Sequence, residues 1–356
     1  MIVLSLHGDH YQMGKQHGQQ VHDLRPYIVE AMDARLNVLV ERGAAEERTK
    51  LLSELERVWN EHARSTMAML KGMADALELP FTRLFHYATA SYVEGVLFAE
   101  SCCGEGCTAW AASGPNTHGG VPILAKNRDL HFGHQPLKAL AYATPQKGHR
   151  YLYATSIGSP AVYSSGINEL GLTIADTHVS SKDLGPGLAR YTLMMDVLEQ
   201  CSSVTAAINY LQRAPRMGGG NLILADAMGD VAVFEAGYRQ WGLIRPPTRW
   251  VVATNHFVSR AMRDYYVQDP ENAADAMSVA RYQTVEAMLK IAQGTLDVEI
   301  AKQVMAKHED GSVAICRHRS GDEAGTISAA IYLPAKCKLY LCDGKPCEGT
   351  YVTYAL

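Results

Sequence analysis

Gly106-Cys107-Thr108, with Asn127-Arg128-Asp129 downstream of it, is the stretch on which the reading of this chain turns. A cysteine behind a glycine, at the end of a helical region and the start of a strand, is a place where a chain can cut itself. The thiol attacks the preceding carbonyl when the backbone there is strained, and a glycine adds little steric resistance. Once that bond is hydrolysed, the new α-amine titrates near pH ~8 and the thiol near ~8.5, so the amine can take the thiol proton at neutral pH. Cys107 would then be both nucleophile and carrier of its own base, with no distant histidine required.

Upstream of Gly106 the pattern is helical. Gln16 to Arg42 carries Val21, Leu24, Ile28, Met32, Leu36 and Leu39 at spacings of three and four and stops at Gly43. A second helix is predicted from Ala44 to Leu79, ending before Pro80, and a third from Phe81 to about Gly95, with Phe98 to Gly106 as a linker. Downstream the character changes to strands and turns. Thr108 to Ala112 and Val121 to Lys126 read as a hairpin across a Gly- and Pro-containing loop. Further strands are predicted at 151–157, 161–165, 172–176, 222–226, 231–235, 250–254, 313–316, 326–333 and 338–342, interrupted by helices at 190–214, 274–292 and 296–307. Hairpin-dominated strands with helices in blocks predict an α+β fold of antiparallel sheet with helices on its outer faces, in a single domain spanning 1–356.

Composition excludes several classes. The chain has 356 residues, 47% hydrophobic and 20% charged, which argues against disorder and against membrane spanning. A net charge of −4 with no Lys/Arg cluster leaves no footprint for nucleic acid or an anionic membrane surface, so the expected partner is a small molecule. Met1-Ile2-Val3-Leu4-Ser5-Leu6 lacks a basic lead and stops at His7-Gly8-Asp9, which does not read as a signal peptide, and Tyr354-Ala355-Leu356 is not a peroxisomal address; the expected location is the cytoplasm. A homo-oligomer is compatible with the sequence. Eight cysteines at uneven spacing read as reduced thiols. Cys102, Cys103 and Cys107 lack the C-x2-C pairing of a zinc site, and Cys337, Cys342 and Cys347 read as buried structural thiols, so neither metal nor cofactor is expected.

The chemistry-bearing motifs each have a plain alternative. Asn127 and Asp129 share one face of their strand while Lys126 and Arg128 take the other, so Asp129 either hydrogen-bonds the freed amine or joins a hairpin-end ion pair. Asn168, in Gly166-Ile167-Asn168-Glu169-Leu170-Gly171-Leu172, is either a turn asparagine or an amide donor to an anionic oxygen. The same choice applies to Asn255 in Thr254-Asn255-His256-Phe257. Arg216-Met217-Gly218-Gly219-Gly220 precedes a strand rather than a helix and reads as a tight turn, not a phosphate loop. His10, His17, His131 and His134 lack a metal-binding pattern.

Together the pieces resemble the penicillin acyltransferase family, which groups with the choloylglycine hydrolases among the N-terminal nucleophile hydrolases. The similarity runs through Gly8 to Gly18, Gly106-Cys107-Thr108-Ala109, Asn127-Arg128-Asp129, Gly166 to Leu172, Asn221 to Glu235, Thr254 to Phe257, Ile315-Cys316-Arg317-His318 and the final strand pair. The resemblance implies a four-layer αββα fold with two stacked antiparallel sheets, and self-cleavage before Cys107 into chains 1–106 and 107–356. It implies Cys107 as nucleophile, Asp129 orienting its amine, Asn168 and Asn255 donating to the oxyanion, and Arg317 positioning Asp129 or the substrate. The implied reaction is cleavage or transfer of the acyl group of a non-peptide linear amide or thioester, with strict hydrolysis of N-acyl amino acids or amines as the alternative. An uncleaved binding protein of the same fold is a further one. Lys126 stands where choloylglycine hydrolases usually carry an arginine, which favours the acyltransferase-like branch over bile-salt hydrolysis.

Overall fold

The computed structural model describes residues 1–42, 45–98, 106–267, 273–308, 313–318 and 324–356. The chain opens with strand β1 (Ile2–Gly8), then helices α1 (His10–Gln20), α2 (Arg25–Arg42), α3 (Ala45–His62), α4 (Arg64–Leu77) and α5 (Phe81–Phe98). Strands β2 (Gly106–Ala112), β3 (Ile123–His131), β4 (Lys138–Pro145), β5 (Tyr151–Ser156), β6 (Ser165–Asn168) and β7 (Thr173–His178) follow. Helices α6 (Arg190–Gln200) and α7 (Val204–Arg213) lead to β8 (Gly220–Ala225), β9 (Val231–Ala236), β10 (Trp241–Ile244) and β11 (Trp250–Ala253). Helices α8 (Ala273–Ile291) and α9 (Val298–Ala306) precede β12 (Ala324–Leu333), β13 (Lys338–Asp343) and β14 (Tyr351–Ala355).

The strands form two sheets, one in the order β1-β4-β5-β6-β7-β8-β9-β10 and one in the order β11-β2-β3-β12-β13-β14. Their side chains sort into three apolar layers. Ala109, Ala111 and Leu124 of the second sheet meet Leu140, Leu152 and Ile167 of the first. The outer face of the first sheet, through residues such as Tyr151 and Tyr153, packs on α1 to α7. The outer face of the second, through Trp110 and Ile331, packs on α8 and α9. The molecule is therefore a four-layer αββα sandwich of two stacked sheets, as expected. Among the described strands, neighbours in both sheets run antiparallel except β1 with β4, which run parallel.

Several elements differ from the sequence reading for identifiable reasons. The first predicted helix is two, because residues 22–24 form a tight 3-10 turn, and α1 begins earlier, at an Asp9 capping box with Gln12. The second is also two: Ala63 leaves helical geometry at φ −124° and ψ 44° and ends α3. The 190–214 helix divides at 201–203, where Ser203 caps α7 by accepting from the Ala206 N–H. The strand placed at 161–165 lies instead at 165–168, and 313–316 forms a loop tied by the Ile315 and Cys316 N–H groups to the Lys307 carbonyl. Cys102 and Cys103 lie outside the described residues.

Candidate active site

Alternation along β2 fixes where Cys107 points. Ala109 and Ala111 belong to the layer between the sheets, while Trp110 and Ala112 face α8 and α9. Cys107 thus faces inward between the sheets and Thr108 faces the helices. In the register with β3, Gly106 pairs with Asp129, Cys107 with Arg128 and Thr108 with Asn127. The thiol shares its face with Lys126 and Arg128, and the Asp129 carboxylate lies on the other. The period of two thus puts two cations, not the carboxylate, on the thiol's face.

What surrounds Cys107 is held by hydrogen bonds from three elements. Its backbone N–H donates to Asn255 Oδ1 at 2.9 Å, just beyond the end of β11. Arg281 of α8 donates through Nη1 to the Cys107 carbonyl at 2.7 Å and to Thr108 Oγ1 at 2.9 Å, and through Nη2 to Asn255 Oδ1 at 2.8 Å. Asn255 Nδ2 donates to the His178 carbonyl at 2.9 Å, and the Asn255 N–H donates to Ser278 Oγ at 2.9 Å. An amide nitrogen carries two hydrogens, and among the described residues one of those on Asn255 Nδ2 is bonded, to the His178 carbonyl.

On the opposite face, Asp129 accepts from Thr326 Oγ1 at 2.7 Å and lies 3.6 Å from Arg317 Nη1. Thr326 also accepts from the Arg317 N–H at 2.8 Å, locking the three together. A Cβ at position 106 would come within 2.1 Å of Arg317 Nη1 and 3.3 Å of Asp129 Oδ2. Gly106 is thus a glycine because the Arg317 guanidinium occupies its side-chain space. Burial pushes the Asp129 carboxyl up, against the pull of Arg317 and Arg281. Burial likewise raises the Cys107 thiol, with Lys126 opposing. Arg281, fully enclosed, is drawn down to about 10 by the same cause and still carries its charge at neutral pH.

Cys107 forms the floor of a cleft lined by Lys126 and Arg128 of β3, Asp176 and His178 of β7, and Arg190 of α6. Lys126 donates to the Asp176 carbonyl and lies 3.5 Å from its carboxylate, which Arg190 Nε meets at 3.1 Å. Burial works to raise the Asp176 carboxyl, but Lys126 and Arg190 outweigh it and hold it below the ordinary value. Ser91, Leu130 and Tyr163 connect this cleft to a cavity of about 520 Å³ between α2, α5 and the β3–β4 connection, lined by Ala31, Ala34, Val38 and Tyr87 among others.

Of the residues expected from sequence, Gly106, Cys107, Asp129, Asn255 and Arg317 come together, and Asn168 does not. Asn168 Nδ2 donates to the Leu198 and Cys201 carbonyls at 2.9 and 2.8 Å, and its Oδ1 accepts from the Leu170 and Leu172 N–H groups. Its hydrogen-bonding capacity is filled within a turn against α6, so the oxyanion role expected of it is corrected to a structural one. Sequence reasoning missed Arg281 and Ser278. Their signal was visible: they continue the buried stripe of Val285 and Leu289 in α8, where polar residues have no reason to be unless they meet polar partners.

Two sheets thus stack between helical layers, and Cys107 stands at the head of β2, an inner strand of the second sheet. The chain belongs to the acyl-coenzyme A:6-aminopenicillanic acid acyl-transferase family, matching it over residues 115–348, a span that begins C-terminal to Cys107. Among solved structures it is similar to a variant of conjugated bile acid hydrolase from Clostridium perfringens, at 15% identity over 70% of this chain and 97% of that one, with TM-score 0.48. It is also similar to the Caenorhabditis elegans ortholog of N-acylethanolamine-hydrolyzing acid amidase, at 13% identity over 70% and 100%, with TM-score 0.46. Penicillin V acylase from Agrobacterium tumefaciens gives 15% identity over 67% and 83%, with TM-score 0.40. No curated protein sequence matches the chain. The family makes it an enzyme of the amidohydrolase and acyltransferase type. Among the described residues, no helix is long and apolar enough to cross a membrane.

Proposed function

We propose that this protein cleaves itself between Gly106 and Cys107 and then hydrolyses or transfers the acyl group of a linear, non-peptide amide through a thioester on Cys107. The observation that carries the reading is the hold on the Cys107 nitrogen by Asn255 Oδ1 at 2.9 Å, beside the Asp129, Arg317 and Thr326 cluster that fills the space over Gly106.

In self-cleavage the Cys107 sulfur adds to the Gly106 carbonyl carbon, the peptide C–N bond breaks with the nitrogen gaining a proton, and water hydrolyses the resulting thioester. The nitrogen so freed stays beside Asn255 and Arg281 and becomes the base. In turnover it takes the thiol proton as sulfur attacks the substrate carbonyl. The remaining Asn255 Nδ2 hydrogen supports the oxyanion, and the proton passes to the departing amine. Water or an acceptor amine then resolves the thioester.

The cavity of about 520 Å³ adjoining the cleft, with Ala31, Ala34, Val38, Leu130 and Leu137 among a lining that also carries Glu30 and Arg35, has room for an acyl chain. Lys126, Arg128 and Arg190 outnumber Asp176 at the cleft, which favours a substrate with a carboxylate near the scissile amide. That cationic lining supports a second reading, strict hydrolysis of N-acyl amino acids. The experiment follows acid and new amide by mass spectrometry for a panel of N-acyl amino acids and amines as a small amine acceptor is raised. New amide appearing at the expense of acid supports transfer. Acid alone at every acceptor concentration leaves the hydrolase reading, and neither product from any substrate defeats both.

A further inference from the structure

A second cluster of reactive side chains lies just behind Arg317. His308, His318 and Cys347 place one ligand atom each within 4.8 Å of one another. Cys316 adds a fourth donor: its Sγ is 3.5 Å from His318 Nε2 and 3.5 Å from Cys347 Sγ. His318 Nε2 lies 2.9 Å from Cys347 Sγ. We propose that His308, Cys316, His318 and Cys347 form a Cys2His2 site for a structural zinc ion, which fixes the loop that carries Arg317.

The donor set and spacing argue for it. Zinc bonds of ~2.3 Å to sulfur and ~2.0–2.1 Å to nitrogen in a tetrahedron put neighbouring donors roughly 3.3–3.8 Å apart; the two 3.5 Å contacts of Cys316 Sγ fall in that range, while the 2.9 Å His318–Cys347 contact has to widen and His308, within 4.8 Å of both, has to draw in as the ion binds. Two thiols with two imidazoles suit zinc rather than magnesium or calcium, which take oxygen ligands. Zinc with two thiolates and two neutral imidazoles is uncharged overall, and the two thiol protons leave to solvent. His318 also has an outer partner: its Nδ1, the nitrogen not facing the cysteines, lies 3.6 Å from Glu348 Oε1. A carboxylate on the second ring nitrogen is the usual way a ligating imidazole is oriented. His308 and His318 are exposed and Cys347 is half-buried, so an ion reaches the site from solvent.

The four donors come from three segments: the end of α9, the loop 313–318 and the β13–β14 connection. Cys316 and His318 flank Arg317, whose own side chain turns inward toward Asp129 and Gly106. On the core side the loop is anchored by Asn127 Nδ2 on the Ile315 carbonyl at 3.0 Å and by the Arg317 N–H on Thr326 Oγ1 at 2.8 Å. The metal supplies the matching anchor on the solvent side. A Cys316–Cys347 disulfide would compete for the same sulfurs, but 3.5 Å is far beyond the ~2.05 Å of an S–S bond.

The test uses the full chain purified without reductant or chelator, with metal content by elemental analysis and cobalt(II) as a spectroscopic substitute. We expect one zinc per chain and, on exchange, thiolate-to-cobalt charge transfer with the intense visible bands of tetrahedral cobalt. His308→Ala, which removes an exposed ring and spares the core, should weaken zinc binding by at least the ~10-fold that losing an outer-shell partner costs, and Glu348→Gln by ~10–100-fold. Cys347→Ser should weaken zinc binding and cut the thiolate-to-cobalt charge transfer to roughly half, the share of the remaining Cys316 thiolate, while circular dichroism stays that of the wild type. A wild-type chain holding no more zinc than Cys347→Ser overturns the proposal. So does a Cys316–Cys347 disulfide found by peptide mapping, or cobalt spectra without a thiolate band. None of these readouts depends on catalysis, so the site stands or falls apart from the proposed reaction.

Discussion

The Arg317 guanidinium lies where a side chain at position 106 would have to go, 2.1 Å from a Cβ there, and with Asp129 and Thr326 it closes one side of the proposed scissile bond. A methyl at 106 must push this group aside. Gly106→Ala is therefore expected to slow self-cleavage strongly while leaving the melting temperature near that of wild type, since Arg317 can swing toward the loop; gel densitometry over time measures it. Asn255 holds the Cys107 nitrogen through Oδ1, and in the proposed reaction an Nδ2 hydrogen supports the oxyanion. Asn255→Ala in processed enzyme should lower kcat by ~10²-fold or more with a smaller change in KM. A change confined to KM would assign Asn255 to substrate recognition. Burial raises the Cys107 thiol, so in the proposed mechanism the attacking thiolate depends on the amine that self-cleavage would free. The predicted rate therefore climbs with pH toward the ~8 of an α-amine, and a flat profile across that range would contradict an amine base.

Helix α8 carries polar residues in the same stripe that packs it on the sheet. Val285 and Leu289 seat it on the second sheet, and one turn further toward its start the same stripe presents Arg281 and Ser278 to Cys107, Thr108 and Asn255. Lysine cannot reproduce that fork, because an ammonium on a flexible stem does not place donors on three fixed acceptors at once. Arg281→Lys should slow self-cleavage at least ~10-fold at a melting temperature close to wild type, the order of loss expected from one misplaced electrostatic contact; pulse-chase of the intact chain reads it.

The strand ends holding Cys107, Asp129 and Asn255 were legible because alternation and turn chemistry place them. The role of Asn168 was not, since a turn asparagine that satisfies its own loop looks the same in sequence as one that reaches a substrate. Strand β1 was hidden in a short run where only Leu4 and Leu6 are fully buried, and β4 begins with a buried lysine followed by alanines of low strand propensity. The break at Ala63 carries neither glycine nor proline to announce it. Val313 to Cys316 has strand-like residues, but its backbone is held by Lys307 and it joins no sheet.

At the scale of the molecule, β1 lies in the first sheet beside β4, and α1 to α5 share one apolar layer with that sheet. Segments on both sides of Gly106 are thus built into the same layers. Chains 1–106 and 107–356 are expected to coelute on size exclusion after cleavage and to part only in denaturant. Stability should also respond to pH through His17, whose pKa burial lowers to about 4 from the ordinary 6.5. The unfolded chain takes that proton first, so the contribution is complete above about pH 6.5 and is lost as pH falls through the folded value, on the order of 3 kcal/mol by pH 4. Asp196, pushed up to about 7 by burial, runs the other way, so the readout is the difference in stability between wild type and His17→Gln, which should narrow as pH falls.

The most direct measurement is the intact mass of freshly purified wild-type protein beside Cys107→Ala, followed by sequencing of the N-terminus of the larger fragment. Self-cleavage predicts two masses for wild type, corresponding to residues 1–106 and 107–356, the larger beginning at Cys107, and one uncleaved mass for Cys107→Ala. A wild-type chain that remains whole while fully active on an acyl amide would contradict it, because the base would then have to be something other than the amine of Cys107.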